Sequence, residues 1–94
     1  MYDILTPDSF LKRSKKFFQR HPQLREKFRS LVLTLSQDPW QPSLRLHALR
    51  GSLEGLYAVS LTYSFRVTLT IQFSDNEITL LDIGSHDEVY EKSY

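Results

Sequence analysis

The chain of 94 residues contains no cysteine. That excludes disulfides and thiolate metal sites and fits a reducing cytoplasm, where the protein is expected to reside. Glycine and proline are scarce, at three and four, and no linker, internal repeat or low-complexity tract divides the chain. One domain over residues 1–94 is the expectation. The apolar runs fall far short of the roughly 20 residues that span a bilayer, so no membrane association is expected. The opening MYDILTPDSF has no basic segment leading into a long apolar one, so it does not read as a signal peptide. No metal-ligand spacing, Gly-rich phosphate loop or Ser-His-Asp arrangement is present, and GSLEG, residues 51–55, reads as a turn. Neither a metal nor a cofactor is expected.

Net charge is also nearly missing, at +1, but it is unevenly spread. Residues 1–50 hold ten Lys/Arg against four Asp/Glu, and residues 51–94 hold two against seven. The basic excess lies in FLKRSKKFFQR and LREKFR. Such a patch attracts a polyanion or an acidic protein, or is simply a solvated helix face.

What is present is ordinary for a small globular domain: 40% hydrophobic and 24% charged residues. YDIL reads as a first strand. Thr6-Pro7 reads as an N-cap and first helical position. Phe10, Leu11, Ser14, Phe17 and Phe18 then recur at helical spacing, with Lys12, Arg13, Lys15 and Lys16 around the other side. Pro22 ends that helix and starts another, where Leu24, Phe28, Leu31, Val32 and Leu35 make one stripe. After DPWQPS the period changes to two. Tyr57, Val59, Leu61 and Tyr63 share one face. Phe65, Val67, Leu69, Ile71 and Phe73 share one face of the next strand, with Arg66, Thr68, Thr70 and Gln72 on the other. SDNE turns the chain into a last strand, ITLLDIG. LRLHALRGSLEG reads as a further strand or arm, with Gly51 and Gly55 at turns. The expected fold is α+β: an N-terminal strand, then a two-helix hairpin packed on one face of a mostly antiparallel, twisted sheet of three to five strands. The opposite face would carry Arg66, between walls built by the loop at His47 and the tail at His86.

Arginine suits phosphate oxygens through its permanently charged fork. In a strand, a salt bridge from Arg66 to Asp82 is the plainer alternative. Histidine exchanges protons near neutral pH, so His47 and His86 on either side of Arg66 would suit RNA cleavage. One takes the proton of a 2′-hydroxyl, the arginine stabilises the charged phosphoryl oxygens, and the other protonates the leaving oxygen. The third histidine, His21, reads as a helix-end residue beside Pro22.

LHALRGSLEGLYAVSLTYSFRVTLTI and ITLLDIGSHDEVY together resemble the RelE/ParE superfamily of toxins from type II toxin–antitoxin systems. The pattern HxLxGxxxG, an Arg-bearing strand, then GxHxxxY/F is most similar to the YafQ-like and YoeB-like branches. The resemblance implies a cytoplasmic, ribosome-dependent mRNA endonuclease silenced by a cognate antitoxin. The free toxin would be monomeric and would form a hetero-oligomer with the antitoxin. It assigns catalytic roles to His47, Arg66 and His86, and substrate contacts to Arg50 and Tyr90, although Tyr90 could equally be a tail anchor. Ser60 and Ser64 stand on the expected substrate side where YafQ-like chains have a histidine and an aspartate. Two alternatives share the fold: a ParE-like toxin that poisons DNA gyrase, and an inactive remnant that keeps only the antitoxin surface.

Overall fold

The alternating residues of the longest sequence strand define the two faces of the molecule. In the computed structural model, which describes residues 1–90, they lie on β4, Phe65–Gln72. It is flanked by β3, Tyr57–Ser60, and β5, Glu77–Ser85, both antiparallel to it. A two-residue strand β2, His47–Ala48, extends β3 at one edge. The first strand β1, Asp3–Leu5, closes the other edge by pairing parallel to β5. The sheet order is β1-β5-β4-β3-β2, so the expected α+β architecture holds, with five strands and one parallel pair.

Helices α1, Asp8–Arg20, and α2, Arg25–Gln37, cover one face. A single 3₁₀ turn at Pro22–Leu24 joins them, because proline has no N–H to give a continuing helix. Phe28 of α2 packs between Phe10 and Phe18 of α1. Below them lie Val59, Val67, Leu69, Ile78, Leu80 and Ile83 of the sheet. Each large side chain buried there contributes on the order of 2–3 kcal/mol before ordering costs. The helix start differs from the sequence reading. Pro7, with φ −58° and ψ 157°, is the last extended residue, and the helix begins at Asp8 without a side-chain cap. Tyr63 also departs from the expected strand face: β3 ends at Ser60, and Tyr63 stands 94% exposed in the turn before β4. No described helix is long and apolar enough to cross a membrane.

β5 contains an irregularity that places the opposite face. Thr68 pairs with Asp82, but the next residue, Leu69, pairs with Leu80, which leaves Leu81 as an extra residue. A bulge of this kind bends a strand and resets its alternation. Ile78 and Leu80 face the helices before it, and Ile83 faces them after it. Asp82 and Gly84 therefore join Thr68 and Arg66 on the far face. Regular pairing of the same residues would have turned the Asp82 carboxylate into the apolar core, at a cost of several kcal/mol. Arg13 of α1 donates from Nη1 to the Leu81 carbonyl at 3.0 Å and so pins the bulge.

Candidate active site

The far face is less open than the sequence suggests. A second apolar cluster of Leu49, Leu53 and Ala58, with Leu56 and Tyr90 against it, covers part of it. The loop after β2 supplies the leucines. Gly51 and Gly55 turn this loop with φ of +67° and +95°, a region that side chains with a Cβ adopt at a cost. The C-terminal segment supplies Tyr90. Thr68 is fully buried on this face.

That segment is a one-turn helix α3, His86–Tyr90, started by a reciprocal cap. The Ser85 N–H donates to Glu88 Oε1 at 3.0 Å, and the Glu88 N–H donates to Ser85 Oγ at 3.2 Å. This is the capping-box arrangement, legible in Ser-His-Asp-Glu, residues 85–88, and missed by the sequence reading. Helical spacing then puts His86 and Tyr90 four residues apart on one face. Their rings meet edge to face with centroids 4.1 Å apart. His86 Nδ1 lies 3.5 Å from Asp87 Oδ1 on the exposed side.

His47 arrives from the other edge of the sheet. It pairs with Ala58, and Ala58 pairs with Thr68, so His47 belongs to the face that carries Arg66. Its Nδ1 is 3.0 Å from the Arg45 carbonyl. A carbonyl only accepts, so Nδ1 carries a proton, and Nε2 is the nitrogen left for proton exchange. Arg45 holds that carbonyl in place from a left-handed conformation, φ 52° and ψ 45°, which costs an ordinary residue roughly 1–2 kcal/mol. Strain of this kind gathers at functional sites. The Tyr90 hydroxyl lies within hydrogen-bond distance of His47 Nε2, at 3.2 Å.

Arg66 stands across β4 from both Ser60 and Gly84, not from Asp82. The register thus opposes the simple Arg66–Asp82 pairing. Asp82 accepts from the Ile83 N–H at 2.8 Å, among other contacts. Arg66 Nη1 instead donates to the carbonyls of Thr62, Tyr63 and Phe65 at 2.8, 2.9 and 3.2 Å. These bonds orient the guanidinium and tie it to the β3–β4 turn. Its charge lies beside the Tyr90 hydroxyl. Burial raises the Tyr90 pKa above its ordinary value, and the charge and hydrogen bond of Arg66 oppose that rise without cancelling it. The phenol is therefore protonated at neutral pH.

Four sequence-selected residues, His47, Arg66, His86 and Tyr90, thus come together from β2, β4 and α3. Ser60 lies beside Arg66 in the ladder. Ser64 sits in the exposed turn that holds Arg66, its N–H on Thr62 Oγ1 at 3.2 Å. Arg50 is exposed on the loop after β2, where its carbonyl accepts the Leu53 N–H. His21 caps the C-terminal end of α1 and packs between Phe17 and Phe65, on the helix side. Among the described residues, no three His, Asp or Glu are grouped to hold a metal ion. A groove of about 610 Å³, lined by Arg13, Lys16, Arg20, His21, Asp82 and Glu88 among others, lies between α1, β5 and α3. It is separate from the ring cluster, with α3 as their common wall.

No protein-family pattern and no curated protein sequence matches the chain. Solved structures do. A metal-bound toxin from Helicobacter pylori superposes with TM-score 0.78 at 25% identity, over 96% of this chain and all of that one. YafQ from Escherichia coli superposes with TM-score 0.77 at 17% identity, over 96% and 99%. The heterotetrameric YoeB–YefM toxin–antitoxin complex from Staphylococcus aureus matches with TM-score 0.70 at 18% identity, over 92% and 98%. The chain therefore has the fold of the RelE-like toxins. The resemblance read from HxLxGxxxG, the Arg-bearing strand and GxHxxxY/F is matched by that fold along almost the whole chain.

Proposed function

We propose that this chain is the toxin of a type II toxin–antitoxin pair and that it cuts messenger RNA on the ribosome. One observation carries this reading: His47, Arg66 and the pair His86 and Tyr90 come from three segments far apart in sequence and meet on one face. Structural packing alone does not require two imidazoles and a guanidinium around one phenol.

The groups match metal-independent transesterification. A ribose 2′-hydroxyl displaces the Tyr90 hydroxyl from His47 Nε2 and attacks the adjacent phosphorus while Nε2 takes its proton, since Nδ1 is already committed to the Arg45 carbonyl. Arg66, pre-oriented by three carbonyls, stabilises the charge that builds on the phosphoryl oxygens. The P–O5′ bond breaks, and His86, on the exposed side of α3, returns a proton to the leaving 5′ oxygen. The products are a 2′,3′-cyclic phosphate and a 5′-hydroxyl. Tyr90, protonated and in reach of His47, orients that ring and contacts the substrate. Arg50, Ser60 and Ser64 serve the flanking nucleotides. The basic outer side of α1 holds ribosomal RNA through phosphates. The cognate antitoxin binds as a helix or extended segment that covers basic residues; that such a partner exists is supported by the YoeB–YefM toxin–antitoxin complex. The site of action is the cytoplasm, and the free toxin is a monomer.

The test is a purified bacterial translation reaction programmed with one messenger, with fragment 5′ ends mapped. Cuts that require ribosomes, and that disappear in Arg66→Ala and His86→Ala, support the proposal. Cuts that continue after 2′-O-methylation of the cut nucleotide exclude the mechanism. Uncut messenger together with inhibited gyrase supercoiling replaces it with the gyrase reading.

A further inference from the structure

We propose that Ser85, Glu88 and Gly84, which nothing in the resemblance assigns, form a latch that positions His86 and Tyr90 for the site. They are positioning residues and touch no substrate. The argument begins with length. Five residues make little more than one helical turn, and a turn that short does not hold itself in water. Two features hold the start of α3. The reciprocal Ser85–Glu88 cap satisfies two of the N–H groups that a helix start leaves orphaned. The other is its seat. Glu88 and Val89 lie directly on Gly84, where an added Cβ would meet Glu88 Cβ at 3.3 Å, Glu88 Oε1 at 3.3 Å and Val89 Cγ1 at 3.5 Å. Val89 is fully buried. Gly84 is also the residue across the ladder from Arg66. The floor that lets α3 approach is therefore the same rung that carries the guanidinium.

The consequence is geometric. With the cap formed and Gly84 bare, Tyr90 reaches His47 Nε2 at 3.2 Å and the His86 ring sits 4.1 Å from that of Tyr90. Fraying the cap or raising the floor moves both rings together, and reacting groups displaced by about 1 Å cost on the order of 10²-fold in rate. Glu88 faces the groove beside Arg13 and Lys16, where a carboxylate could be taken for a catalytic base. The latch assigns it the role of hydrogen-bond acceptor for the Ser85 N–H.

The test uses the full chain and reads the His47 ring nitrogens by NMR, so it does not depend on the nuclease reading. Tyr90→Phe supplies the reference shift for a His47 without its hydroxyl partner. Ser85→Ala, Glu88→Ala and Gly84→Val are expected to move the Nε2 resonance toward that reference. Ser85→Thr and Glu88→Gln keep cap-competent oxygens and are expected to leave it in place. Where RNA cleavage is measured, the first three lower kcat on the order of tenfold or more with KM little changed, and Glu88→Gln does not. In a Tyr90→Phe, His86→Ala background, Ser85→Ala should have no further effect, because the groups it positions are gone. A His47 resonance unmoved by both Ser85→Ala and Glu88→Ala overturns the latch. So does Glu88→Gln behaving like Glu88→Ala. Absence of cleavage by the parent chain and by every variant, with the expected NMR pattern, leaves the latch standing and counts against the nuclease.

Discussion

Replacing Arg66 separates what its guanidinium does for the fold from what it does for chemistry. Nη1 makes three hydrogen bonds, all to carbonyls of the β3–β4 turn. Tyr63 is exposed and Thr62 and Phe65 are half-buried, so water can reach those carbonyls once the guanidinium is removed. The net cost of Arg66→Ala is therefore about 1–2 kcal/mol, well below the sum for three buried charged hydrogen bonds. In a domain of this size that lowers Tm by roughly 5–15 °C. If the remaining edge of the fork meets the phosphoryl oxygens, kcat falls further, by roughly 10²–10³. Arg66→Lys discriminates between the two roles. One ammonium cannot occupy the carbonyl cradle and reach a phosphate together, so it should restore either most of the Tm or some of the rate, but not both. The assays are thermal unfolding and ribosome-programmed mRNA cleavage below the lowest Tm of the set. An Arg66→Ala protein that cuts within about threefold of the parent refutes the reasoning, and so does a lysine variant equal to the parent in both assays.

Tyr90 holds its proton more tightly in the folded chain than in the unfolded one. Its contribution to stability is complete below the ordinary value of 10.0 and is lost as pH rises through the raised value. Phenolate absorbance should show one late-titrating tyrosine that Tyr90→Phe removes. Leu35→Ala empties a fully buried position between the helices and the sheet and should cost about 2–5 kcal/mol, read as a lower urea midpoint at unchanged m. Glutamate at the exposed Lys12 and Lys15 should weaken ribosome binding and flatten its dependence on salt; an unchanged slope would remove α1 from the RNA contact surface.

Much of the fold was legible because its signals are periodic. The stripe from Leu24 to Leu35 and the alternation from Phe65 to Ile71 each announce one buried face, and both faces meet in the core. The strand ends were less legible. Tyr63 continues the alternation of β3 in sequence, but the chain has already turned, and Thr62 Oγ1 accepts the N–H groups of Ser64 and Phe65. The parallel pairing of β1 leaves no local mark, because the partners of Asp3–Leu5 are Glu77, Ile78 and Thr79, at the far end of the chain. At the site, residue types selected His47, Arg66 and His86, but only the structure brings them to Tyr90. Arg45 was invisible, since its contribution is a backbone carbonyl held in a left-handed conformation. Ser85 and Glu88 were visible in principle as a capping box.

The bulge at Leu81 explains how a single strand can serve both the core and the site. A regular strand assigns its faces once, by parity. Ile78, Leu80 and Ile83 break parity, and the sequence Leu80-Leu81-Asp82-Ile83 shows the slip as two adjacent leucines before the acid. The first half of β5 commits even-numbered residues to the helices, and the second half commits odd-numbered ones. That exchange brings glycine under α3, opposite Arg66, without opening a hole in the core. The residues that enforce it lie on the helix side and at the edge: Arg13 on the Leu81 carbonyl and Ile83 against Phe17's neighbourhood in the apolar cluster. The chemistry-bearing face is consequently controlled from the opposite side of the sheet. A substitution such as Arg13→Ala, far from every proposed catalytic group in sequence, should loosen the bulge before it loosens the core. Hydrogen exchange at the amides of β5 beyond Leu81 should then rise while that of Ile78 and Leu80 holds. Uniform loosening along β5 would mean that the bulge is set by β4 pairing alone.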